Sequence, residues 1–208
     1  LSAQGQSFTA NSALCSGWTS SEVLQSRWGS DYAANMQRLQ SLAARTGQTV
    51  LLYNGQPAAA CYHAISSGHT EASQNVWGGQ LPYLCGVDSA WDKFADGYEV
   101  TIQYSAEQVR TALEELGLTP DDSPESWVGA STWDKAGYVR TLELCGQMVS
   151  GLDVRKALDL RSTCFAIAWR GGQFVITTRG YGHGVGLSQY GAKAMAEGGA
   201  GWEDILGY

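Results

Sequence analysis

No run of lysine or arginine occurs anywhere in this chain: thirteen basic residues stand against twenty acidic ones, a net charge of −7. Nucleic acid, which is held chiefly by cationic side chains on its phosphates, is excluded as a partner on that ground. No apolar stretch approaches the roughly 20 residues that a membrane-crossing helix needs, and no charged-then-apolar leader begins at Leu1. The chain therefore reads as a soluble piece, cut from something longer. Charge is scarce, at 16% of residues against 44% hydrophobic, which argues against disorder and against a coiled coil. Only five cysteines occur (Cys15, Cys61, Cys85, Cys145, Cys164), widely spaced, with no Cys-x-x-Cys and no histidine at ligand spacing. A zinc ribbon or finger is excluded, the odd count speaks against a disulfide framework, and the thiols read as small buried hydrophobes.

Glycine and aromatic residues are what the chain has in excess: 26 Gly, eight Trp, ten Tyr and four Phe. Tight turns around a surface rich in flat side chains suit sugars and peptides as ligands. With 208 residues the chain can bury a core without staples, and one domain over 1–208 is expected.

Residues Leu1 to Gly29, rich in Ser, Gly and Gln, read as loop. From Ser30 a helix is expected, with Tyr32, Met36, Leu39 and Ala43 at helical spacing and Gly47 to close it. Thr49 to Tyr53 and Gln56 to Ile65 flank Asn54-Gly55, the signature of a two-residue hairpin. Ser105 and Gln108 form a capping box for a helix carrying Val109, Ala112, Leu113 and Leu116, ended by Gly117, and Thr119 to Ser126 is a surface loop. Tyr138 to Val149 reads as a strand interrupted near Gly146, and Ser150 to Leu160 as a short helix with Val154 and Leu158 on one face. Thr163 to Trp169 and Gln173 to Thr178 form a second hairpin around Arg170-Gly171-Gly172, with Phe165, Ile167 and Trp169 on one face. Ser188 caps a last helix carrying Tyr190, Ala194 and Met195, stopped by Gly198 and Gly199. The class is α+β, a mainly antiparallel sheet with hairpins and a few short helices.

Three segments carry chemistry. From Gly180 to Gly186 glycine alternates with Tyr181, His183 and Val185, which strips one edge of the backbone and leaves His183 as the one reactive side chain, with Ser188, Gln189 and Tyr190 following at a helix start. An open edge of this kind admits a bulky ligand to main-chain groups. A glycine-rich turn with a structural histidine is the alternative. The order strand, glycine loop, helix suggests a nucleotide site, but neither the P-loop pattern nor the third glycine of G-x-G-x-x-G is present. The second segment, Tyr62 to Glu71, holds His63, His69, Ser67 and Glu71. A hydrogen-bonded turn at Ser66-Ser67-Gly68 competes there with a polar substrate wall, and no known metal-ligand spacing is met. Glu71 itself is either a solvated loop carboxylate or an acid. The third segment, Val76 to Leu84, offers Trp77, with Trp91 and Asp92 close behind; such aromatics stack on a pyranose or plug a core.

Taken together these residues resemble the stage II sporulation protein D and amidase-enhancer family of bacterial cell-wall remodelling. The resemblance rests on Gly180-Tyr181-Gly182-His183-Gly184-Val185-Gly186-Leu187-Ser188-Gln189-Tyr190-Gly191-Ala192, on Ala64 to Glu71, on Val76-Trp77-Gly78-Gly79 with Leu81-Pro82-Tyr83-Leu84, on Thr46-Gly47-Gln48, and on Trp202 to Tyr208. It implies an envelope or extracellular protein, membrane-anchored through a segment outside this chain, whose partners are peptidoglycan glycan strands and other cell-wall hydrolases. The implied activity is lytic transglycosylation, which leaves a 1,6-anhydro end and requires one protonated carboxylic acid but no metal and no organic cofactor. The family's catalytic Glu lies in an amino-terminal helix with no counterpart before Ser30, so it is expected outside this chain, with Leu1 just after that helix and Tyr208 inside a closing tyrosine run. Glu71 is the remaining candidate acid. His183, Ser188, Gln189 and Tyr190 are expected on one wall of a glycan groove, with His63, Ser67 and Trp77 as further substrate contacts. Some members carry a Cys or His pair where this chain has Cys15 alone. A non-catalytic glycan-binding module that enhances an amidase is the second reading, and a Ser or Cys hydrolase built on Ser188 or Cys61 the third.

Overall fold

The computed structural model describes residues 19–47 and 49–208. The chain divides after Pro57 into two compact units. In the first, α1 (Ser21–Trp28) is capped by the Ser20 hydroxyl, which accepts from the Val23 amide at 3.4 Å, and is stopped by Gly29 at φ 51°. The expected loop over Leu1 to Gly29 is thus corrected at its end: Glu22 in the first turn and Arg27 in the last suit the helix dipole. Residues 1–18, Cys15 among them, lie outside the described residues. A 3-10 turn leads into α2 (Tyr32–Thr46), which Gly47 follows as expected. β1 (Leu52–Tyr53) and β2 (Gln56–Pro57) form the Asn54-Gly55 hairpin, with φ of 50° and 75° at the two turn residues.

That hairpin is shorter than the sequence suggests. Pro57 offers no amide to a ladder, and the chain beyond it does not continue the pairing. Instead β3 (Tyr62–His63), in the second unit, pairs in parallel with β10 (Leu187–Ser188), 125 positions on. The second unit carries two antiparallel three-stranded sheets. One is ordered β4 (Glu99–Tyr104), β9 (Gln173–Arg179), β8 (Phe165–Arg170); the other runs β5 (Val128–Trp133), β6 (Val139–Leu144), β7 (Gln147–Ser150). The sequence pattern does not single out β4 or β5. The Gly171-Gly172 turn joins β8 to β9 and the Cys145-Gly146 turn joins β6 to β7, both pairs at positive φ. α4 (Ala106–Glu115) and α5 (Gly151–Ala157) complete one core with these sheets: Trp127, Leu142, Leu144, Phe174, Ile176, Val109, Leu113 and Val154 are all 2% exposed or less. Trp127 stacks on Phe174 with ring centroids 5.7 Å apart. The fold is α+β, as expected.

The capping box is present in full: the Gln108 amide donates to Ser105 Oγ at 3.2 Å and the Ser105 amide to Gln108 Oε1 at 2.9 Å. Ser105→Ala is expected to lower stability by about 1 kcal/mol, read as a shift in the urea midpoint with an unchanged slope. α6 (Gln189–Glu197), capped by Ser188, and α7 (Trp202–Gly207) close the chain.

Candidate functional site

The glycine strip leaves β9 at Gly180 and runs beside residues 61–71. The Tyr181 amide donates to the Ile65 carbonyl at 2.7 Å, the Glu71 amide to the Gly184 carbonyl at 2.7 Å, and the Leu187 amide to the Cys61 carbonyl at 3.0 Å. Gly180, Gly182, Gly184 and Gly186 all have positive φ. A Cβ on Gly182 would lie 2.7 Å from His63 Cβ, and one on Gly184 2.7 Å from the Tyr138 hydroxyl oxygen. The bared edge is therefore occupied by the protein's own chain. This corrects the expectation that the alternating glycines open the backbone to a ligand: they let two segments of one unit approach more closely than any side chain permits.

The strip puts His183 between two other rings. Its centroid is 5.1 Å from Trp77, at the end of α3 (Ser73–Trp77), and 5.9 Å from His63 on β3. His183 Nδ1 accepts from the Val185 amide at 3.1 Å, which leaves the ring proton on Nε2. Burial lowers the affinity of His183 for a second proton, with the Arg155 charge adding to the effect. His63 is 4% exposed, and burial pushes its pKa down to about 4 although its Nδ1 faces the Val185 carbonyl at 3.2 Å. His63 Nε2 is buried without a hydrogen-bond partner. Trp77 stays 51% exposed, so indole and imidazole share a surface rim.

Behind the same strip stands Glu71, bridged to Val185. It is 4% exposed, which corrects the alternative of a solvated loop carboxylate. Its Oε1 accepts from the Ala72 amide and from Asn75 Nδ2, both at 2.7 Å. Its Oε2 and Asp134 Oδ2 are both buried without another hydrogen-bond partner, while Asp134 Oδ1 accepts the Ala136 and Tyr138 amides at 2.9 and 3.0 Å. Burial, together with the Asp134 carboxylate beside it, raises the Glu71 pKa to about 7 against the pull of Asn75 and the Ala72 amide. A proton on Glu71, shared with Asp134, satisfies both oxygens. Arg140 Nη1 sits 3.7 Å from Glu71 and 3.8 Å from Asp134, but its guanidinium is directed to the Asn75 carbonyl and Asn75 Oδ1 at 3.1 and 2.9 Å. The arrangement keeps a carboxylic acid protonated into the neutral range.

The structure brings His63, His183, Trp77 and Glu71 together and assigns the other expected residues elsewhere. The Ser188 hydroxyl donates to Asp92 Oδ1 at 2.8 Å and accepts from the Gly191 amide at 3.2 Å as the cap of α6. Its partners are not imidazoles, so nothing in this geometry prepares it as a nucleophile. The Ser67 hydroxyl is held by the Ala136 carbonyl at 2.7 Å and the Ser67 amide by the Tyr138 hydroxyl at 3.2 Å. Gln189 and Tyr190 are exposed on α6. His69 Nδ1 lies 2.7 Å from the Thr70 carbonyl. Among the described residues no three of His, Cys, Asp and Glu gather as a metal ion requires. Sequence reasoning misses Asp134, Asn75, Arg140 and Tyr138, which define the surroundings of Glu71 from 4 to 69 positions away, and no local spacing signals them. It names Asp92 only beside Trp91; the carboxylate is fully buried, and its Oδ2 accepts the Ser66 amide at 2.8 Å.

Fold and site define an α+β protein in which a glycine strip seats an imidazole and a buried acid beneath a rim of exposed aromatics. No family model matches the chain. It is 36% identical over 192 residues to stage II sporulation protein D of Bacillus subtilis (strain 168), covering 92% of this chain and 54% of that protein. It is 37% identical over 190 residues to the protein of the same name from Bacillus amyloliquefaciens, covering 91% and 54%. An amidase enhancer of Bacillus subtilis (strain 168) is 26% identical over 215 residues, covering 78% and 30%. The chain spans about half the length of the first two relatives. Over nearly all of its own length the chain is a sequence relative of stage II sporulation protein D, and more distantly of the amidase enhancer.

Proposed function

We propose that this chain is the glycan-engaging part of a sporulation protein that works on the cell wall outside the cytoplasmic membrane, cleaving peptidoglycan strands as a lytic transglycosylase. The names of its relatives support the cell-wall and sporulation setting. The observation that carries the reading is the half-exposed Trp77 beside His183, a flat apolar face next to a polar ring with a protonated carboxyl behind it. The axial C–H face of a pyranose stacks on such an indole. The reaction needs an acid that gives a proton to the glycosidic oxygen and then takes one from the C6 hydroxyl. Glu71 has the proton affinity for this but is only 4% exposed, which supports a secondary place for it beside another acid of the full-length protein. The test is digestion of purified peptidoglycan by the full-length protein, with products resolved by mass spectrometry. Muropeptides with 1,6-anhydro ends are expected, and about tenfold fewer from Trp77→Ala, the loss of roughly 1.4 kcal/mol of stacking. Products that carry only ordinary reducing ends overturn the reading.

The burial of Glu71 also favours a second reading, a non-catalytic module that binds glycan and stimulates an amidase, and one relative is named for such enhancement. Retained binding to sacculi with no anhydro products, and faster release of stem peptides by an added amidase, distinguishes it.

A further inference from the structure

Apart from the Trp77 rim, the second unit exposes another set of rings. Trp91 and Phe94, on the 3-10 turn Ala90–Phe94, are 51% and 87% exposed, and Tyr190 on α6 is 38% exposed. They border a groove of about 210 Å³ whose remaining lining includes Asp96, Lys193 and Glu197. These rings are not surplus core. The same turn is anchored by Asp92, fully buried, which holds the Ser66 amide and the Ser188 hydroxyl, so the platform is rigid while its aromatic faces stay in water. Contiguous exposed apolar surface on an anchored element marks a contact site.

We infer that this groove is a second saccharide site, which takes an N-acetylated pyranose of a glycan strand against Trp91, Phe94 and Tyr190. The inference rests on the glycan reading of the Trp77 rim and extends it to a separate subsite. Three rings supply flat apolar faces, and the lining supplies both hydrogen-bond acceptors (Asp96, Glu197) and a donor (Lys193), which is what a ring with apolar faces and a hydroxyl and acetamido edge requires. Lys193 and Glu197 lie 3.7 Å apart and largely exposed, so both head groups are accessible to a ligand at the groove. An apolar helix from a partner protein would have to bury those charges against carbon. A polyanion would meet two carboxylates and one ammonium. The volume is below the roughly 300 Å³ at which pockets begin to engulf a small molecule, and it suits shallow contact with one ring of a long polymer.

The test is titration of the chain with the soluble β-1,4 pentamer of N-acetylglucosamine, followed through the indole N–H resonances, with the Trp91 signal assigned from Trp91→Phe. Saturable movement of the Trp91 resonance is expected. The double variant Trp91→Ala with Phe94→Ala is expected to weaken that binding at least tenfold while it keeps the parent's far-UV spectrum and a single cooperative urea transition, Phe94 being 87% and Trp91 51% exposed. Movement confined to the Trp77 indole, unchanged affinity in the double variant, or a Trp91 resonance that responds to protein concentration instead of sugar overturns the inference. The Trp77 reading is judged separately by its muropeptide products, which this titration does not read.

Discussion

Gly186→Ala is expected to leave the second unit unable to hold its native strip. The residue sits at φ 74°, and an added Cβ would run into the Cys61 carbonyl, a backbone group fixed by the amide of Leu187. An L-residue in the left-handed region costs about 1–2 kcal/mol, and forcing an atom into a packed site costs about 1–3 kcal/mol more. A loss of about 3–4 kcal/mol in urea unfolding follows, enough to unfold many domains of this size. Gly171→Ala is the control: its φ is also positive, at 58°, but nothing lies within 4 Å of the added carbon, so only the left-handed cost of about 1–2 kcal/mol is expected. If the strip's glycines were instead kept bare for a ligand, Gly186→Ala would lose glycan binding at unchanged stability, and close packing against the Cys61 carbonyl would not be their role.

The second large effect is in the pH dependence of stability, where two buried groups oppose each other. Glu71 has its folded pKa raised from 4.5 to about 7, so the native state holds a proton that the unfolded chain has released; stability from this group is complete below pH 4.5 and is lost as pH rises through 7. His63 has its folded pKa lowered from 6.5 to about 4, so its contribution is complete above pH 6.5 and is lost as pH falls toward 4. His183 acts in the same direction as His63. At about 1.4 kcal/mol per pKa unit each of the first two amounts to about 3 kcal/mol. The groups facing Glu71 are Asp134, Arg140 and Asn75, none of which reverses the sign. Glu71 and His63 cancel between about pH 4.5 and 6.5, so the parent protein is expected to show only the gentle rise that His183 contributes there, followed by a decline above pH 6.5 as Glu71 ionises. Glu71→Gln removes the falling arm, so that stability climbs with pH over the same range. His63→Asn removes the larger rising arm, so that the profile tilts downward with pH relative to the parent. Urea midpoints measured from pH 4.5 to 8 check both, and a Glu71→Gln profile parallel to that of the parent would show that Glu71 is not held protonated in the fold.

Much of the local structure is legible because it is encoded within a few residues. Asn54-Gly55 and Gly171-Gly172 turn where positive φ is needed; Ser105 with Gln108, and Ser188 with Gly191, close rings of three residues between a side chain and an orphan amide. β4 escapes notice although Glu99 to Tyr104 alternates, and β5 because Gly129, Ala130 and Ser131 interrupt any pattern. The site is legible only as a set of residue types. His63 and His183 look alike in the chain, yet one is sealed with an unpartnered nitrogen and the other rests against an exposed indole. Ser188 has the look of a groove residue and is a cap; Glu71 has the look of a loop carboxylate and is a buried acid.

Turns, caps, the α+β class and the family likeness can all be read from the chain alone, since each depends on short spacings or on a motif string. Which neighbour fills the glycine edge and which acid keeps its proton depend on the folded chain. Close approach and desolvation are made by atoms such as the Cys61 carbonyl, Asp134 and Arg140, which lie far along the chain and meet these groups only once it has folded.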